Sequence, residues 1–402
     1  MNPLKRFWLS LSPDLRWISI AIFLSGVAEG LSINFQTLYV EGLGATPAQI
    51  GLVFGAAGLV TIAVYVPAGW LADRWRRKPI IIAAWLSTLV TFTWLTLAPD
   101  WRWAVPGFML YALGSFARPA FSAYIAAGER ARSVQRAFAL TSIAWSLGNI
   151  LAPAAGGWIG EHFGLRAVFA LSGVVYVFST LALIPLSNPV SARHTGGNRF
   201  RLLLANRPFL WQVFAFMLIV FALNLGVILA PNYLQAVKGI SVEQVGLLGT
   251  IAALGLVILN YVLGRARPER RAPLLVLQLA TATALVLLLI APAAVAGQIP
   301  LLIGVAYLLR GAVDAIWTPM SGRLSLWLPP EILSLGFSLR DTGVRVAMTL
   351  APLAAGRLYD LNPGLPLQLG LGALAVTFLV TLTLPNYRPA VAVEPGPTEP
   401  PQ

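Results

Sequence analysis

The sequence predicts an all-α integral membrane protein whose twelve transmembrane helices form two parallel, pseudo-symmetric bundles of six. Composition, the spacing of apolar runs and an internal repeat predict this fold. Of the 402 residues, 57% are hydrophobic and 11% are charged, and the mean hydropathy is +0.76. Soluble proteins carry about 25% charged residues. A chain this apolar is expected to lie in lipid.

Twelve apolar runs are each long enough to cross about 30 Å of hydrocarbon as a helix. They span 17–40, 47–71, 79–98, 103–125, 137–159, 167–187, 209–230, 244–264, 273–292, 299–326, 334–356 and 366–385. We therefore predict an N-terminal bundle (1–187), a basic cytoplasmic linker (188–207), a C-terminal bundle (208–386) and a Pro-rich disordered cytoplasmic tail (387–402).

An internal repeat relates the two halves at an offset of 199 residues. Residues 138–161 match residues 337–360 at 7 of 24 positions, including Leu-Ala-Pro at 151–153 and 350–352. Recurrence of small residues and proline in membrane helices is the alternative explanation. Duplicated parallel halves are a transporter architecture, with the binding site between the halves near mid-membrane.

The charges are distributed unequally between the two faces of this topology. Loops on the side of the termini hold 20 Lys and Arg against 7 acids, and the opposite loops hold 4 against 5. This is the positive-inside pattern with both termini cytoplasmic. The net charge of +13 therefore needs no nucleic-acid partner to explain it.

Several kinds of chemistry find no support in the residue inventory. The chain has no cysteine and two histidines, so no disulfide, metal site or cofactor is expected. The sequence contains no G-x4-G-K-[ST] loop, the motif that would indicate direct use of ATP. Lys5 and Arg6 precede a full-length span, which argues against a cleaved signal peptide.

Seven charged residues lie in predicted spans away from the span ends, where each would cost about 2.5–3.5 kcal/mol if it faced lipid. They are Glu29, Arg118, Arg310, Asp314, Arg340, Asp341 and Arg345. We expect them to face a cavity or one another. Four-residue spacing predicts ion pairs between Arg310 and Asp314 and between Asp341 and Arg345.

Polar residues at helical spacing predict the faces that line a substrate cavity. The stripes are Ser25, Glu29, Ser32 and Gln36 in span one, Tyr111, Ser115, Arg118 and Ser122 in span four, Asn224 and Asn232 in span seven, and Tyr307, Arg310, Asp314, Trp317 and Ser321 in span ten. With Trp145, the aromatic members would suit an amphipathic or aromatic solute, although packing is the more common role of such residues. Glu29 has no arginine four residues away on its own helix and is the candidate proton carrier; a fixed ion pair with Arg118 is the alternative.

The stretch GWLADRWRRKP at 69–79 resembles motif A of the major facilitator superfamily, in the loop between spans two and three. Gly69, Leu71, Asp73, Arg74, Arg77 and Lys78 match, and Arg76 stands where the motif has glycine. Gly148, Pro153, Gly156 and Gly157 in span five resemble motif C of proton-coupled exporters, with Ala152 in place of a glycine. The resemblance covers about residues 15–386. It implies a cavity lined by spans one, four, seven and ten.

The resemblance also implies that motif A is a conformational latch. Asp73 would accept from the N-terminus of span eleven, near Ser334, while Arg74, Arg77 and Lys78 hold the loop at the anionic membrane surface. A loop that only sets topology is the alternative explanation of these cations.

These observations favour a secondary transporter that moves a small organic solute by alternating access, through proton-coupled multidrug or metabolite efflux. Proton-linked uptake of an organic anion or sugar is the alternative, and a lipid scramblase or non-transporting membrane protein is a distant one. An intramembrane aspartyl enzyme built on Asp314 and Asp341 is disfavoured, because each acid has an arginine nearby. We expect a monomer in the bacterial inner membrane whose partners are solute, protons and lipids.

Overall fold

The computed structural model describes residues 11–74, 77–114, 121, 124, 131–187, 200–263, 266, 269–295, 298–328 and 333–385, and it is helical throughout apart from turns and loops. The helices of the N-terminal half are α1 (Pro13–Ser32), α2 (Gln36–Gly42), α3 (Pro47–Arg74), α4 (Arg77–Leu97), α5 (Trp101–Gly114), α6 (Ala131–Phe163) and α7 (Leu165–Leu181). Those of the C-terminal half are α8 (Phe200–Ala205), α9 (Arg207–Val227), α10 (Ala230–Lys238), α11 (Val242–Leu263), α12 (Ala272–Ile290), α13 (Leu301–Arg310), α14 (Ala312–Ala315), α15 (Trp317–Leu326), α16 (Leu333–Leu361) and α17 (Leu365–Thr383).

Each of the twelve predicted spans overlaps at least one described helix, and span four is described as a helix only over Trp101–Gly114. Eight of the described helical segments are long and apolar enough to cross a membrane. A 3-10 turn at Ile33–Phe35 separates α1 from α2, and span ten is divided into α13, α14 and α15. The short helix α8 lies inside the predicted linker, whereas residues 188–199 and the tail from 386 lie outside the described residues.

Side-chain caps fix where the first membrane-spanning helix of each half, α1 and α9, begins. The Ser12 hydroxyl accepts from the backbone N–H of Leu15 at 3.3 Å, and the Asn206 side chain accepts from Phe209 N–H at 3.1 Å. Each cap is followed by a proline in the first helical turn, which needs no N–H partner there. The two halves thus enter the bundle through the same kind of cap.

Basic side chains cap helix C-termini, and two of them, Lys78 and Arg271, lie at the start of equivalent helices in the two halves. Arg166 donates to the Ala98 carbonyl at 2.6 Å after α4, and Lys238 donates to the Ala291 carbonyl at 2.6 Å after α12. Lys78 donates to the carbonyls of Ile184 and Leu186 at 2.7 and 2.6 Å, near the end of α7. Arg271 binds the carbonyls of Leu382 and Leu384 after α17 in the same way. These cations satisfy carbonyls that have no partner within their helix.

The loops after α2, α4, α6, α10, α12 and α16 lie together, and we call this end of the bundle the distal end. Backbone bonds join Trp101 N–H to the Leu43 carbonyl and Ala294 N–H to the Lys238 carbonyl. The opposite, proximal end carries Ser12 and Pro385. Asp14 there accepts from the Ser187 backbone N–H at 3.2 Å and from the Tyr124 hydroxyl at 2.8 Å.

The two halves pack against each other through two helix crossings, α3 with α16 and α6 with α11. Glycines permit both crossings near the distal end. A Cβ at Gly51 would lie under 3.0 Å from the Pro352 carbonyl oxygen, and a Cβ at Gly246 would lie equally close to that of Pro153. Because these prolines are equivalent in the repeat, the same crossing is built twice.

Candidate functional site

Glu29 is half-buried on α1, and the Trp145 indole N–H donates to its carboxylate at 3.3 Å. Close packing of α1 on α6 brings the two side chains together. A Cβ at Gly26 would lie 2.5 Å from the Trp145 carbonyl oxygen, and one at Gly148 would lie 2.5 Å from that of Phe23. The acid predicted as proton carrier therefore lies beside an aromatic donor on span five.

The predicted polar stripe of span one begins on α1 and continues past the 3-10 turn. Ser25 and Ser32 are buried, and their hydroxyls donate to the carbonyls of Ile22 at 2.9 Å and Ala28 at 3.3 Å. Both hydroxyl hydrogens are thus bonded within their own helix. Gln36 is half-buried and follows the 3-10 turn, whose tighter winding moves it away from the line that a continuous helix would give.

Span ten carries Tyr307, Arg310 and Asp314 close together. The Tyr307 side chain is 1% exposed, and its hydroxyl has no hydrogen-bond partner among the residues that the structure describes. The Arg310 guanidinium lies 5.4 Å from the centre of the Tyr307 ring, and the Asp314 side chain is exposed. Arg310 is therefore stacked on Tyr307, and the helix is interrupted at Gly311, between Arg310 and its predicted partner Asp314.

Arg340 connects spans ten and eleven. It is buried, forms an ion pair with Asp341 at 2.6 Å and donates to the Ser321 hydroxyl at 2.7 Å. Its guanidinium lies 5.9 Å from the Trp317 ring and 5.0 Å from the Phe337 ring. The spacing predicted an ion pair between Asp341 and Arg345; the structure shows an ion pair between Asp341 and Arg340, whose guanidinium reaches the carboxylate from the adjacent position.

The two asparagines predicted for span seven lie at different levels. Asn224 is half-buried and donates to the Val220 carbonyl of its own helix at 2.8 Å. Asn232 is buried on α10, beyond the end of α9, and donates to the Glu41 carboxylate of the N-terminal half. Asn232 therefore belongs to the distal contact between the halves and not to a mid-membrane cavity.

Part of the predicted site lies where side chains are not described. Ser115, Arg118 and Ser122 fall outside the described residues, and Tyr111 is half-buried on α5. In motif A, Gly69, Asp73 and Arg74 lie in α3 and Arg77 begins α4, with only their backbone described. The latch thus stays a prediction. Lys78, however, caps the end of α7, which is a structural role that the sequence did not predict.

The four motif C-like residues are packing positions. A Cβ at Gly156 would lie under 3.0 Å from the Leu31 carbonyl oxygen, so Gly156 and Gly148 hold α6 against α1. A Cβ at Gly157 would lie 2.8 Å from the Glu243 carbonyl oxygen, so Gly157 and Pro153 face α11. One stretch of span five thus packs on its own half and on the other half.

Sequence reasoning missed the acids that join the halves at the distal end. Besides Glu41, the Glu161 carboxylate accepts from Glu243 N–H, and the Asp360 carboxylate accepts from Ala48 N–H, both at 3.3 Å. The available signal was the repeat, which aligns Glu161 with Asp360 at the offset of 199.

Known proteins with similar structures share the fold along nearly the whole chain. A mutant of the nucleoside transporter NupG superposes with a TM-score of 0.77 at 14% identity, covering 92% of this chain and 99% of that one. A bacterial homolog of the human lysosomal transporter Spinster superposes with a TM-score of 0.68 at 16% identity, covering 97% and 100%. These likenesses describe the fold alone.

Sequence relatives include drug efflux proteins. The multi-drug resistance efflux pump PmrA of Streptococcus pneumoniae is 32% identical over 166 residues, which are 40% of this chain and 41% of that protein. The multidrug resistance protein MdtG of Salmonella typhi is 32% identical over 162 residues, 39% and 40% of the two chains. The matches thus span about two fifths of each relative's length. The Major Facilitator Superfamily model matches residues 18–294 and 223–401, and the chain therefore belongs to this superfamily of membrane transporters.

Proposed function

We propose that this transporter exports small, drug-like organic solutes in exchange for protons, with Glu29 as the proton carrier. The observation that carries the proposal is the half-buried carboxylate of Glu29 within a membrane span, bonded to the Trp145 indole. The relative PmrA is an efflux pump and the relative MdtG is a multidrug resistance protein, and this supports export as the direction of transport. We place both termini in the cytoplasm and the protein in a bacterial inner membrane as a monomer.

The position of Glu29 suits a group that exchanges protons. It lies about 24 Å along α1 from Pro13, at 1.5 Å per residue, which is deep within the membrane. A neutral indole can donate to the ionised carboxylate, and this bond is weakened when the carboxyl is protonated. The protonation state of Glu29 can therefore bias the packing of α1 on α6. A solute that binds one state better shifts the population toward it.

The C-terminal half offers groups that suit an aromatic or cationic solute. Asp314 exposes a carboxylate, and the half-buried Trp317 supplies an aromatic ring. Because Asp341 neutralises the charge of Arg340, Arg340 adds little attraction for an organic anion. These features favour drug-like cations and neutral aromatics over the alternative of proton-linked anion uptake.

Transport by reconstituted vesicles tests the proposal. Purified protein in proteoliposomes with an acidic lumen is expected to accumulate ethidium, a fluorescent organic cation, as protons leave. Glu29→Gln is expected to lose this accumulation while ethidium still equilibrates without a pH gradient. Asp100→Asn is the matched control, because Asp100 lies in a distal loop and accepts from Arg102 N–H at 2.7 Å; it should behave as the parent does.

Other outcomes would contradict specific parts of the proposal. Accumulation of fluorescein only when the lumen is alkaline would favour proton-linked anion uptake. Retained gradient-driven accumulation by Glu29→Gln would show that another group carries the proton. Solute-independent movement of lipid between leaflets, without any solute flux, would favour a scramblase.

A further inference from the structure

Two acids at the distal end bind the first turn of a helix in the opposite half. Asp360, at the end of α16, accepts from the backbone N–H of Ala48 in α3 at 3.3 Å. Glu161, at the end of α6, accepts from the backbone N–H of Glu243 in α11 at 3.3 Å. N–H groups in a first helical turn have no partner within the helix, and the positive end of the helix dipole adds to their attraction for a carboxylate.

The internal repeat relates these two contacts. Glu161 and Asp360 are equivalent at the offset of 199, as are Gly157 and Gly356. A Cβ at Gly356 would lie under 3.0 Å from the Pro47 carbonyl oxygen, as one at Gly157 would from that of Glu243. Each acid therefore lies one helical turn beyond a glycine, and that glycine allows the acid's helix to approach the helix that the acid binds. The contact is built twice, once at each crossing.

We propose that Glu161 and Asp360 are paired gating carboxylates that hold the distal end closed and release it when the transporter opens there. Each carboxylate and its donor belong to different halves, so opening at this end separates both pairs. The Glu41 to Asn232 bond between α2 and α10 lies across the same end and adds a third connection. Described side chains that join helices at the proximal end, such as Asp14 and Lys78, do so within one half.

This gate differs from the predicted motif A latch, because Asp73 lies near the proximal end of α3, while Ala48 lies in its first turn. The proposal depends on alternating access and does not depend on proton coupling through Glu29. A failure of one therefore leaves the other standing. Both acids are exposed, so each contact contributes modestly, and we expect each to change the ratio of open to closed molecules by about two- to fivefold.

Distance measurements between spin labels test the gate. The chain has no cysteine, so Leu97→Cys and Leu301→Cys provide a single labelled pair across the distal end, on side chains 74% and 80% exposed. Glu161→Gln and Asp360→Asn are each expected to increase the ratio of long to short distances by about two- to fivefold, and the double variant by the product, about four- to 25-fold. Asp100→Asn, also a distal acid made neutral, is expected to leave the distribution unchanged.

The controls separate charge from packing. Asp360→Glu keeps the charge and is expected to remain close to the parent distribution. If Asp360→Glu opens the distal end as much as Asp360→Asn does, the charge does not hold the halves together and the proposal is wrong. It is equally wrong if the double variant matches Asp100→Asn. Should the double variant fail to purify as a monodisperse protein, the two single variants decide, and unchanged distances in both overturn the gate.

Discussion

Adding one methyl group at Gly246 should open the distal end of the transporter. In the structure a Cβ at this position would lie under 3.0 Å from the Pro153 carbonyl oxygen and 2.7 Å from the Gly157 Cα. Both are backbone atoms of α6, which cannot rotate away as a side chain could. Gly246→Ala therefore forces the crossing of α6 and α11 apart.

The expected size follows from the cost of overpacking, about 1–3 kcal/mol for extra carbon atoms in a well-packed interior. The gain in helix propensity from glycine to alanine is about 0.5–1 kcal/mol, but it applies to the open and closed states alike and cancels. The ratio of distal-open to distal-closed molecules should thus increase by about 5- to 150-fold, because 1.4 kcal/mol corresponds to a factor of ten.

The labels at Leu97→Cys and Leu301→Cys report this ratio as the population of long distances. Gly304→Ala is the matched control, since Gly304 also lies inside a helix and a Cβ there would meet nothing within 4 Å among the described residues. Gly51→Ala tests the equivalent crossing against the Pro352 carbonyl and should shift the population in the same direction. Equal distance distributions for Gly246→Ala and Gly304→Ala would refute the reasoning.

Three further predictions concern single side chains. Ser25→Ala and Ser32→Ala should each leave the transport rate within about twofold of the parent, because both hydroxyls already bond to their own helix; a tenfold loss would place them in the solute site after all. Lys78→Met should lower thermal stability in detergent by about 1–2 kcal/mol, since two carbonyls near the end of α7 lose a charged donor. Arg102→Met is its control, and an equal loss in both would show that the cap is unimportant. Leu361→Cys should react with an impermeant maleimide added to spheroplasts, while Leu204→Cys should react only after permeabilisation; the reverse pattern would invert the proposed topology.

The fold was predictable from sequence because bilayer thickness fixes the length of each span. Every predicted span overlaps a described helix, and the superfamily match agrees with motif A and motif C. The structure differs from the sequence prediction in local helix geometry. Periodicity assumes an unbroken helix, but the 3-10 turn at Ile33–Phe35 and the interruption at Gly311 change which side chains align. The division into two bundles and the role of the linker stay predictions.

The candidate site was predictable where a residue type is costly in lipid, and less so where its partner lies elsewhere in the chain. Glu29 was identified from its charge within a span, and Trp145 was identified as an aromatic residue near the polar stripes, but their bond depends on the crossing of α1 and α6. Serine carries no such signal, because its hydroxyl can bond to its own helix, as Ser25 and Ser32 do. The distal acids Glu161 and Asp360 were not predicted, because their alignment in the repeat does not reveal which helix N-terminus each one faces.

The central claim is that binding of solute and release of a proton are linked through Glu29, and proton counting on the purified protein tests it most directly. Solute is added to the detergent-solubilised protein in weakly buffered solution, and a pH indicator follows the protons that leave. The account predicts release on binding to the parent protein and none on binding to Glu29→Gln, with binding itself retained in both. Equal release by the two proteins, or solute binding to the parent with no release, would contradict it.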